Sequence, residues 1–284
     1  MTHLDPSLAP VKTTCPYCGV GCGVIATPDG KGGAAIAGDP DHPANFGRLC
    51  SKGSALGETV RLDGRLLAPR INGHDAGWDE ALELVAQRFS DTIAAHGPDS
   101  VAFYVSGQLL TEDYYVANKL MKGFIGSANI DTNSRLCMAS SVAGHRRAFG
   151  TDTVPGLYED MEEADLVVLV GSNLAWCHPV LFQRLAAAKE ARPQMRIIVV
   201  DPRRPATCDI ADLHLALAPG SDTVLFNHLL AEIARRDALD AGFLEHVNGF
   251  DAAYQAACAS DPDQLGLSDA DLGRFLDLWI GSEK

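Results

Sequence analysis

Four cysteines near the start of the chain, Cys15, Cys18, Cys22 and Cys50, follow the pattern Cys-x2-Cys-x3-Cys with a distant fourth member. Three thiols within eight residues can wrap one face of a cubic [4Fe–4S] cluster, and a fourth thiol can close it. Structural zinc sites usually take their cysteines as two separated pairs, so this grouping favours iron–sulfur ligation over zinc. The sequence therefore predicts a [4Fe–4S] cluster, with structural zinc and a disulfide pair or free thiols as the alternatives.

Cys137 is a second candidate metal ligand. It lies in residues 133–140, where a loop becomes a predicted helix. The helix dipole and the free amides at a helix N-terminus bias a thiol toward thiolate, which is the form that binds a soft metal. A buried structural cysteine is the alternative, and the cysteine motif upstream favours the metal ligand.

Two predicted strands end in residues that suit nucleotide binding. Ligands of open α/β sheets bind beyond the carboxyl ends of the strands. Asp201 could pair with ribose hydroxyls or the edge of a guanine, and Arg203 could take a phosphate. The chain has no Gly-x-Gly-x-x-Gly, so the usual NAD or FAD fingerprint is missing. The other candidates, after the first of these strands, are Gly171, Ser172 and Asn173.

Composition and charge narrow the class of protein. The net charge of −14 argues against non-specific nucleic-acid binding, which needs a basic surface. No apolar stretch approaches the roughly 20 residues that cross a bilayer, and residues 1–10 carry neither paired arginines nor a signal-peptide core. We therefore expect a cytoplasmic protein with no nucleic-acid partner and no membrane insertion. A reducing compartment also suits cysteines that serve as metal ligands.

The elements that must position these residues fall into two predicted domains. Residues 11–68 are rich in glycine, with short strands over 24–27 and 34–37, and bury so little apolar surface that a bound cluster would act as their core. Residues 69–284 alternate helices and strands, which indicates an α/β fold with a doubly wound, mostly parallel, Rossmann-like sheet. The last apolar run, over 272–280, stops without a clear domain ending, so we expect this domain to be incomplete at its C-terminus.

Apolar periodicity, continuous apolar runs and capping residues give the elements of the second domain. The predicted helices cover 78–93, 111–121, 138–149, 179–191 and 222–235. The predicted strands cover 101–105, 166–170, 196–200 and 213–217, and residues 240–284 are mostly helical.

Taken together, the run from Cys15 to Gly53, residues 133–140 and the strand ends at Gly171 and Asp201 resemble the molybdopterin oxidoreductase superfamily. More narrowly, the chain is similar to the N-terminal part of bacterial assimilatory nitrate reductase catalytic subunits. It resembles periplasmic nitrate reductases and formate dehydrogenases at greater distance. Catalytic subunits of this family are far longer, so the resemblance implies a fragment of a larger multidomain enzyme.

The resemblance implies two cofactors, a [4Fe–4S] cluster and Mo-bis(molybdopterin guanine dinucleotide). It assigns the four early cysteines to the cluster, Cys137 to molybdenum, and Lys52 to the electron path between cluster and pterin. Gln108 and Asn133 match positions that hydrogen-bond the cofactor near the metal. Positions that match the lining of one guanine dinucleotide are Gly171, Ser172, Asn173, Asp201, Arg203, Gly220, Ser221 and Asp222, with His178 and Thr207 beside them.

The residue after Cys137 separates two activities of the family. Related formate dehydrogenases commonly place a histidine there that takes part in proton removal, whereas Met138 cannot move protons. The resemblance therefore implies two-electron reduction of nitrate to nitrite by oxygen-atom transfer, with electrons entering through the cluster from ferredoxin, flavodoxin or an NADH-linked reductase subunit. A formate dehydrogenase-like molybdenum enzyme and a non-catalytic iron–sulfur electron-transfer module are the alternatives.

Overall fold

The structure is a computed structural model that describes residues 8–107, 109–133, 136 and 138–284. The chain forms two compact units. The first consists of the residues up to Val60 together with Gly156–Lys284, and the second of Arg61–Pro155. The predicted division into domains near residue 68 stays a prediction.

A small antiparallel sheet of three short strands begins the first unit. Its strands are β1 (Val11–Thr14), β2 (Gly23–Pro28) and β3 (Ala34–Gly38), in the order β1-β2-β3. Asp29 closes the β2–β3 turn, since its main-chain N–H donates to Gly33 O over 2.9 Å and its carboxylate accepts from the Gly33 amide. The two predicted strands are confirmed. Strand β1 has no apolar alternation and all four of its residues are exposed, so the sequence does not predict it.

A buried asparagine shapes the segment that follows β3. The Asn45 side chain accepts from Gly23 N over 2.8 Å, and donates to Gly23 O over 3.0 Å and to Arg48 O over 2.9 Å. At Gly38, a Cβ atom would lie 2.1 Å from Gly47 O, so only glycine allows the chain to pass itself there. The segment leads into helix α1 (Ser51–Ser54) and a 3-10 helix over Leu56–Val60.

The second unit contains a parallel pair of strands and a long helix. Its elements are β4 (Arg70–Ile71), β5 (His74–Asp75), α2 (Trp78–His96), β6 (Phe103–Val105), α3 (Thr111–Asn118), β7 (Ile130–Thr132) and α4 (Ala139–Phe149). Strands β6 and β7 pair in parallel, and the Phe89 ring on α2 meets the Phe103 ring edge-on, with centroids 6.0 Å apart. Helix α3 continues as a π-helix over Lys119–Ile125, so the helical connection between β6 and β7 is longer than predicted.

A three-stranded parallel sheet forms the centre of the first unit. Its strands are β8 (Leu166–Val170), β9 (Arg196–Val200) and β10 (Leu213–Leu215), in the order β10-β9-β8. Helices α5 (Tyr158–Glu163), α6 (Leu174–Cys177) and α7 (Pro179–Ala191) lie before β8 or between β8 and β9. Strands β8 and β9 and helix α7 have the predicted bounds. Strand β10 ends two residues early because the chain turns away, and Ala218 N donates to Leu265 O over 2.9 Å.

Both faces of this sheet are covered, as a doubly wound sheet requires. Ile197 and Val199 of β9 pack on one face with helix α7 and with the cysteine segment, including Cys15 and Cys22. Ile198 and Val200 pack on the other face with the C-terminal helices. The cysteine segment and the parallel sheet therefore share one hydrophobic core.

Four helices complete the first unit. They are α8 (Asp222–Arg235), α9 (Ala241–Leu244), α10 (Phe250–Cys258) and α11 (Asp269–Ile280). Helices α8 and α11 contribute Leu225 and Phe275 to the second face of the sheet. The predicted α/β class, with short strands first and parallel strands beyond them, is confirmed. No helix in the described ranges is both long and apolar enough to span a bilayer.

Candidate functional site

The four early cysteines line a single cavity. Cys15 and Cys22 are buried and Cys18 and Cys50 are half-buried, and all four are free thiols. Apart from the cysteines, the cavity wall is apolar or aromatic and comes from the loop after β1, from α1 and from the start of α7. The other lining residues are Tyr17, Val20, Leu49, Gly53, Pro179 and Val180. The structure therefore brings together the donor set that the sequence predicts for a metal cluster.

Main-chain hydrogen bonds fold the first three cysteines into one loop. Cys15 N donates to Cys22 O over 2.8 Å, which joins the two ends of the loop. Gly21 N donates to Cys18 O over 3.3 Å, and Gly21 has φ of +69°, a left-handed conformation that favours glycine. The distant Cys50 directly precedes α1, at the end of the segment that Asn45 holds against β2.

The electrostatics of the cavity favour a bound metal. Burial, together with the charges of Cys18, Cys15 and Cys50, raises the pKa of the Cys22 thiol to about 11. Four thiolates so close together repel each other, and positive charge from metal ions relieves that repulsion. Within the described ranges, no three His, Cys, Asp or Glu side chains are arranged to hold a single metal ion. A [4Fe–4S] cluster makes a different demand, because its four cysteines surround a cavity and bind separate iron atoms.

Lys52 lies beside this cavity. Its side chain is exposed on α1, and its ammonium nitrogen stands 5.9 Å from the centroid of the Tyr17 ring, which lines the cavity. A cation over an aromatic face is attracted by the ring quadrupole, so Tyr17 orients Lys52 at the rim.

Arg184 joins the cysteine segment to the parallel sheet, and it is not among the residues that the sequence predicts. The side chain is buried in the middle of α7. Its guanidinium donates to Pro43 O over 2.7 Å and to Ala44 O over 2.9 Å, and it pairs with Glu162 at 2.6 Å and Glu159 at 3.2 Å. The only sequence signal is a cation within an otherwise largely apolar helix, and its partners on the cysteine segment lie some 140 residues away.

The first predicted nucleotide segment follows β8. Gly171 has φ of +57°, and its N–H donates to Val200 O over 2.8 Å at the end of the neighbouring strand. The Asn173 side chain accepts from the hydroxyl of Thr207 over 3.2 Å, and that buried hydroxyl also accepts from Ala175 N over 3.1 Å. The ends of β8 and β9 are thus linked side by side, and Ser172 lies half-buried between Gly171 and Asn173.

The second predicted segment follows β9. Asp201 is buried, and its carboxylate accepts from Arg203 N over 2.8 Å, which closes a tight turn. His214 Nε2 lies 2.9 Å from the main-chain oxygens of both Asp201 and Arg203 and holds the turn against β10. The Arg203 side chain is exposed, with its Nε 4.0 Å from Asp201, so its charge faces solvent.

The third predicted segment follows β10 at the same edge of the sheet. Gly220 has φ of +85°, and Asp222 is exposed at the first position of α8. Ser221 is buried, and its hydroxyl donates to Ala218 O over 2.7 Å. That hydroxyl therefore has an internal partner and contributes to the shape of the turn.

In the second unit, the ends of β6 and β7 meet in the same way. Asn133 Oδ1 accepts from Gly107 N over 2.7 Å. Tyr114 donates its hydroxyl to Ser106 O over 2.6 Å and accepts from Leu109 N over 3.3 Å. The predicted sites Gln108 and Cys137 lie outside the described residues.

Comparisons with known proteins agree with this arrangement. The sequence profile of the molybdopterin oxidoreductase family matches residues 65–238, and that of the molybdopterin oxidoreductase Fe4S4 domain matches residues 8–61. The solved structure of acetylene hydratase from Pelobacter acetylenicus superposes with a TM-score of 0.82 at 21% identity, over 93% of this chain and 38% of that chain. At that identity the likeness concerns the fold alone.

Similar sequences include several nitrate reductases. One from Klebsiella oxytoca is 65% identical over 82% of this chain and 27% of its own length. One from Shewanella frigidimarina is 46% identical over 96% of this chain and 31% of its own length. The periplasmic nitrate reductase of Desulfovibrio desulfuricans is 47% identical over 81% of this chain and 31% of its own length. The expectation that the chain matches only part of longer enzymes is confirmed by these shares. With an iron–sulfur domain followed by a matching α/β region, the chain belongs to the molybdopterin oxidoreductase family.

Proposed function

We propose that the longer protein containing this chain reduces nitrate to nitrite, in a two-electron reaction at molybdenum, with electrons entering through a [4Fe–4S] cluster. The observation that carries the proposal is the cavity lined by four free cysteines and packed on the parallel sheet. The similarity to three proteins named as nitrate reductases supports the choice of substrate.

The residues around the cavity fit a cubic cluster. Cys15, Cys18 and Cys22 come from one closed loop and would bind three of the irons, and Cys50 would bind the fourth. The apolar wall limits solvent access, and this raises the cost of leaving the thiolates without metal.

Lys52 would connect the cluster with the pterin. Its ammonium stands over Tyr17 at the rim of the cavity. A positive charge at that point lowers the cost of placing an electron nearby, so we assign Lys52 to the electron path.

The second unit would hold the molybdenum side of the cofactor. Cys137 would bind the metal as thiolate, and Gln108 and Asn133 would hydrogen-bond the cofactor beside it. The hydrogen bond from Gly107 N to Asn133 Oδ1 supports this assignment, because it joins the ends of two parallel strands. The hydrogen bond occupies the Asn133 oxygen, and the amide nitrogen, which has no partner among the described residues, would donate to the cofactor.

The carboxyl edge of the sheet in the first unit would bind a guanine dinucleotide. Gly171 and Gly220 allow close backbone approach, and Asn173 and Asp201 are held in place by hydrogen bonds. The exposed guanidinium of Arg203 would meet a phosphate. Ser172, Ser221 and Asp222 complete the proposed set.

When bound, the molybdenum cofactor would supply the oxygen-atom chemistry and the cluster the one-electron transfer that this reaction needs. The cysteines would hold the two groups, and Met138, the residue after Cys137, has no titratable group that could take up a proton. Removing a proton from formate needs a base, which methionine cannot supply. Met138 therefore favours nitrate over formate as the substrate.

We assign the protein to the cytoplasm and to nitrate assimilation, with ferredoxin, flavodoxin or an NADH-linked reductase subunit as electron donor. All seven cysteines among the described residues are free thiols, and this suits a reducing compartment. Immunodetection in separated cytoplasmic and periplasmic fractions tests the assignment, and a periplasmic signal would reject it.

Assays with viologen dyes test the reaction itself. The full-length protein, purified without oxygen, should oxidise reduced methyl viologen when nitrate is added and should not reduce the dye when formate is added. Formate oxidation without nitrate reduction would instead indicate a formate dehydrogenase. Iron in the protein with neither activity would indicate an electron-transfer module.

A further inference from the structure

A tyrosine hydroxyl from α5 contacts the loop that carries Cys18 and Cys22. Tyr158, at the start of α5, directs its hydroxyl at two successive main-chain oxygens of that loop. The distances are 3.3 Å to Gly19 O and 3.2 Å to Val20 O. Because both oxygens lie between the two cysteines in sequence, this hydroxyl acts on the part of the loop that wraps the cavity.

The tyrosine ring is held by the buried cation of α7. The Arg184 guanidinium carbon stands 5.5 Å from the centroid of the Tyr158 ring, within the range of a cation–π contact. Arg184 is itself fixed by Glu159 and Glu162. The hydroxyl therefore reaches the cysteine loop from a rigid support.

The hydroxyl keeps its proton beside the cysteines. The usual pKa of a tyrosine hydroxyl is about 10, so the group is neutral at physiological pH. A neutral phenol donates a hydrogen bond, whereas a phenolate would repel the loop carbonyls.

We propose that Tyr158 is a positioning residue that holds the Cys18–Cys22 loop and raises the reduction potential of the bound cluster. The inference rests on the proposed cluster. An added electron makes the cluster more negative, so the positive end of a dipole aimed at the loop that wraps the cluster favours reduction. The Tyr158 hydroxyl directs its proton at two main-chain oxygens of that loop, and this positive end of the O–H dipole favours the reduced state.

The experiment replaces the hydroxyl and keeps the ring. Tyr158→Phe retains the stack under Arg184 and removes only the donor. Tyr254→Phe is the matched control, because Tyr254 lies on α10, away from the cysteine cavity. The measurements, made on the anaerobically purified full-length protein, are iron content and the midpoint potential of the cluster from a redox titration followed by electron paramagnetic resonance.

The expected result is unchanged iron content and a lower potential in Tyr158→Phe, with wild-type values in Tyr254→Phe. A loss of one hydrogen bond predicts roughly a threefold to tenfold shift of the redox equilibrium toward the oxidised cluster. At 59 mV per tenfold change for one electron, that shift is about 30 to 60 mV.

Each other outcome also decides the inference. An unchanged potential with full iron content overturns it. Loss of iron with retained circular dichroism supports the positioning role, because the hydrogen bonds of this hydroxyl to the described residues go to Gly19 O and Val20 O. Loss of iron with global unfolding overturns the inference. A wild-type protein with no cluster signal rejects the proposed function itself, which separates the two failures.

Discussion

The guanidinium of Arg184 donates a 2.9 Å hydrogen bond to the main-chain oxygen of Ala44, so that a residue of the α/β sheet's covering helix holds the segment before Cys50. Glu159 and Glu162 balance the buried charge from the same side of the sheet. One side chain therefore ties the two sequence-distant parts of the first unit together.

Replacing this cation should strongly destabilise the first unit. We expect Arg184→Met to lower the free energy of unfolding by about 3 kcal/mol, because it leaves two main-chain oxygens and Glu162 without their buried partner. Chemical denaturation followed by circular dichroism measures the change. Arg204→Met is the control, since its pair with Asp209 at 3.8 Å is exposed and should contribute less than about 1 kcal/mol. Equal losses in the two variants would contradict the role given to Arg184.

A half-buried carboxylate, Asp212, lies at the start of β9 and β10 and should make stability depend on pH. Burial alone would raise the pKa of Asp212, but hydrogen bonds from Lys189 at 2.5 Å, from Ile197 N at 2.8 Å and from Arg196 at 3.1 Å lower it below its usual value. A carboxylate with a lowered pKa stabilises the fold above the unfolded-state pKa of about 4, and this stabilisation is lost as the pH falls through the folded-state pKa.

The test compares Asp212→Asn with the wild type across pH. At pH 7 we expect Asp212→Asn to lower the free energy of unfolding by about 2 kcal/mol relative to the wild type. Below about pH 4 this difference between variant and wild type should shrink. Asp209→Asn serves as control, because Asp209 is exposed and stands 3.8 Å from Arg204. A difference in the free energy of unfolding that stays constant down to pH 3 would show that the charge of Asp212 does not stabilise the fold.

The hydroxyl of Thr207 should matter for the proposed dinucleotide site. Thr207→Val leaves Asn173 Oδ1 and Ala175 N without their buried partner, at a cost of about 1 to 3 kcal/mol. We expect less guanine nucleotide to be released by acid hydrolysis of the purified full-length variant. Thr207→Ser keeps the hydroxyl and should release the wild-type amount of guanine nucleotide. Equal amounts of nucleotide from Thr207→Val and Thr207→Ser would show that this hydroxyl does not support the dinucleotide site.

A single cysteine change should remove the cluster. Cys22→Ala deletes a buried thiol of the cavity, so we expect loss of iron and a lower melting temperature of the first unit. Cys208→Ala is the control, because Cys208 is equally buried yet does not line the cavity. Wild-type iron in Cys22→Ala would remove this residue from the ligand set.

Regular elements were predictable where local sequence determines them. Strands β8 and β9 are continuous apolar runs covered on both faces, and helix α7 begins at a proline, so their bounds follow from the sequence. Strand β1 forms by antiparallel pairing with β2, and the pattern of its own four residues does not predict a strand.

The cysteines that line the cavity were predictable from the sequence, whereas the residues that position the cysteine segment were not. The cysteine spacing is itself the signal for the cavity. Asn45, Arg184 and Tyr158 act through main-chain oxygens or amides of distant residues, and a sequence carries no mark for such partners. Long-range polar contacts of this kind form only when packing brings the segments together.

Metal analysis of the full-length protein, purified without oxygen, tests whether the chain belongs to an enzyme that holds both an iron–sulfur cluster and molybdenum. We predict about four iron atoms and one molybdenum per chain, and in Cys137→Ala the loss of molybdenum and of nitrate reduction with the iron retained. Zinc in place of iron, or iron without molybdenum in the wild type, would contradict it.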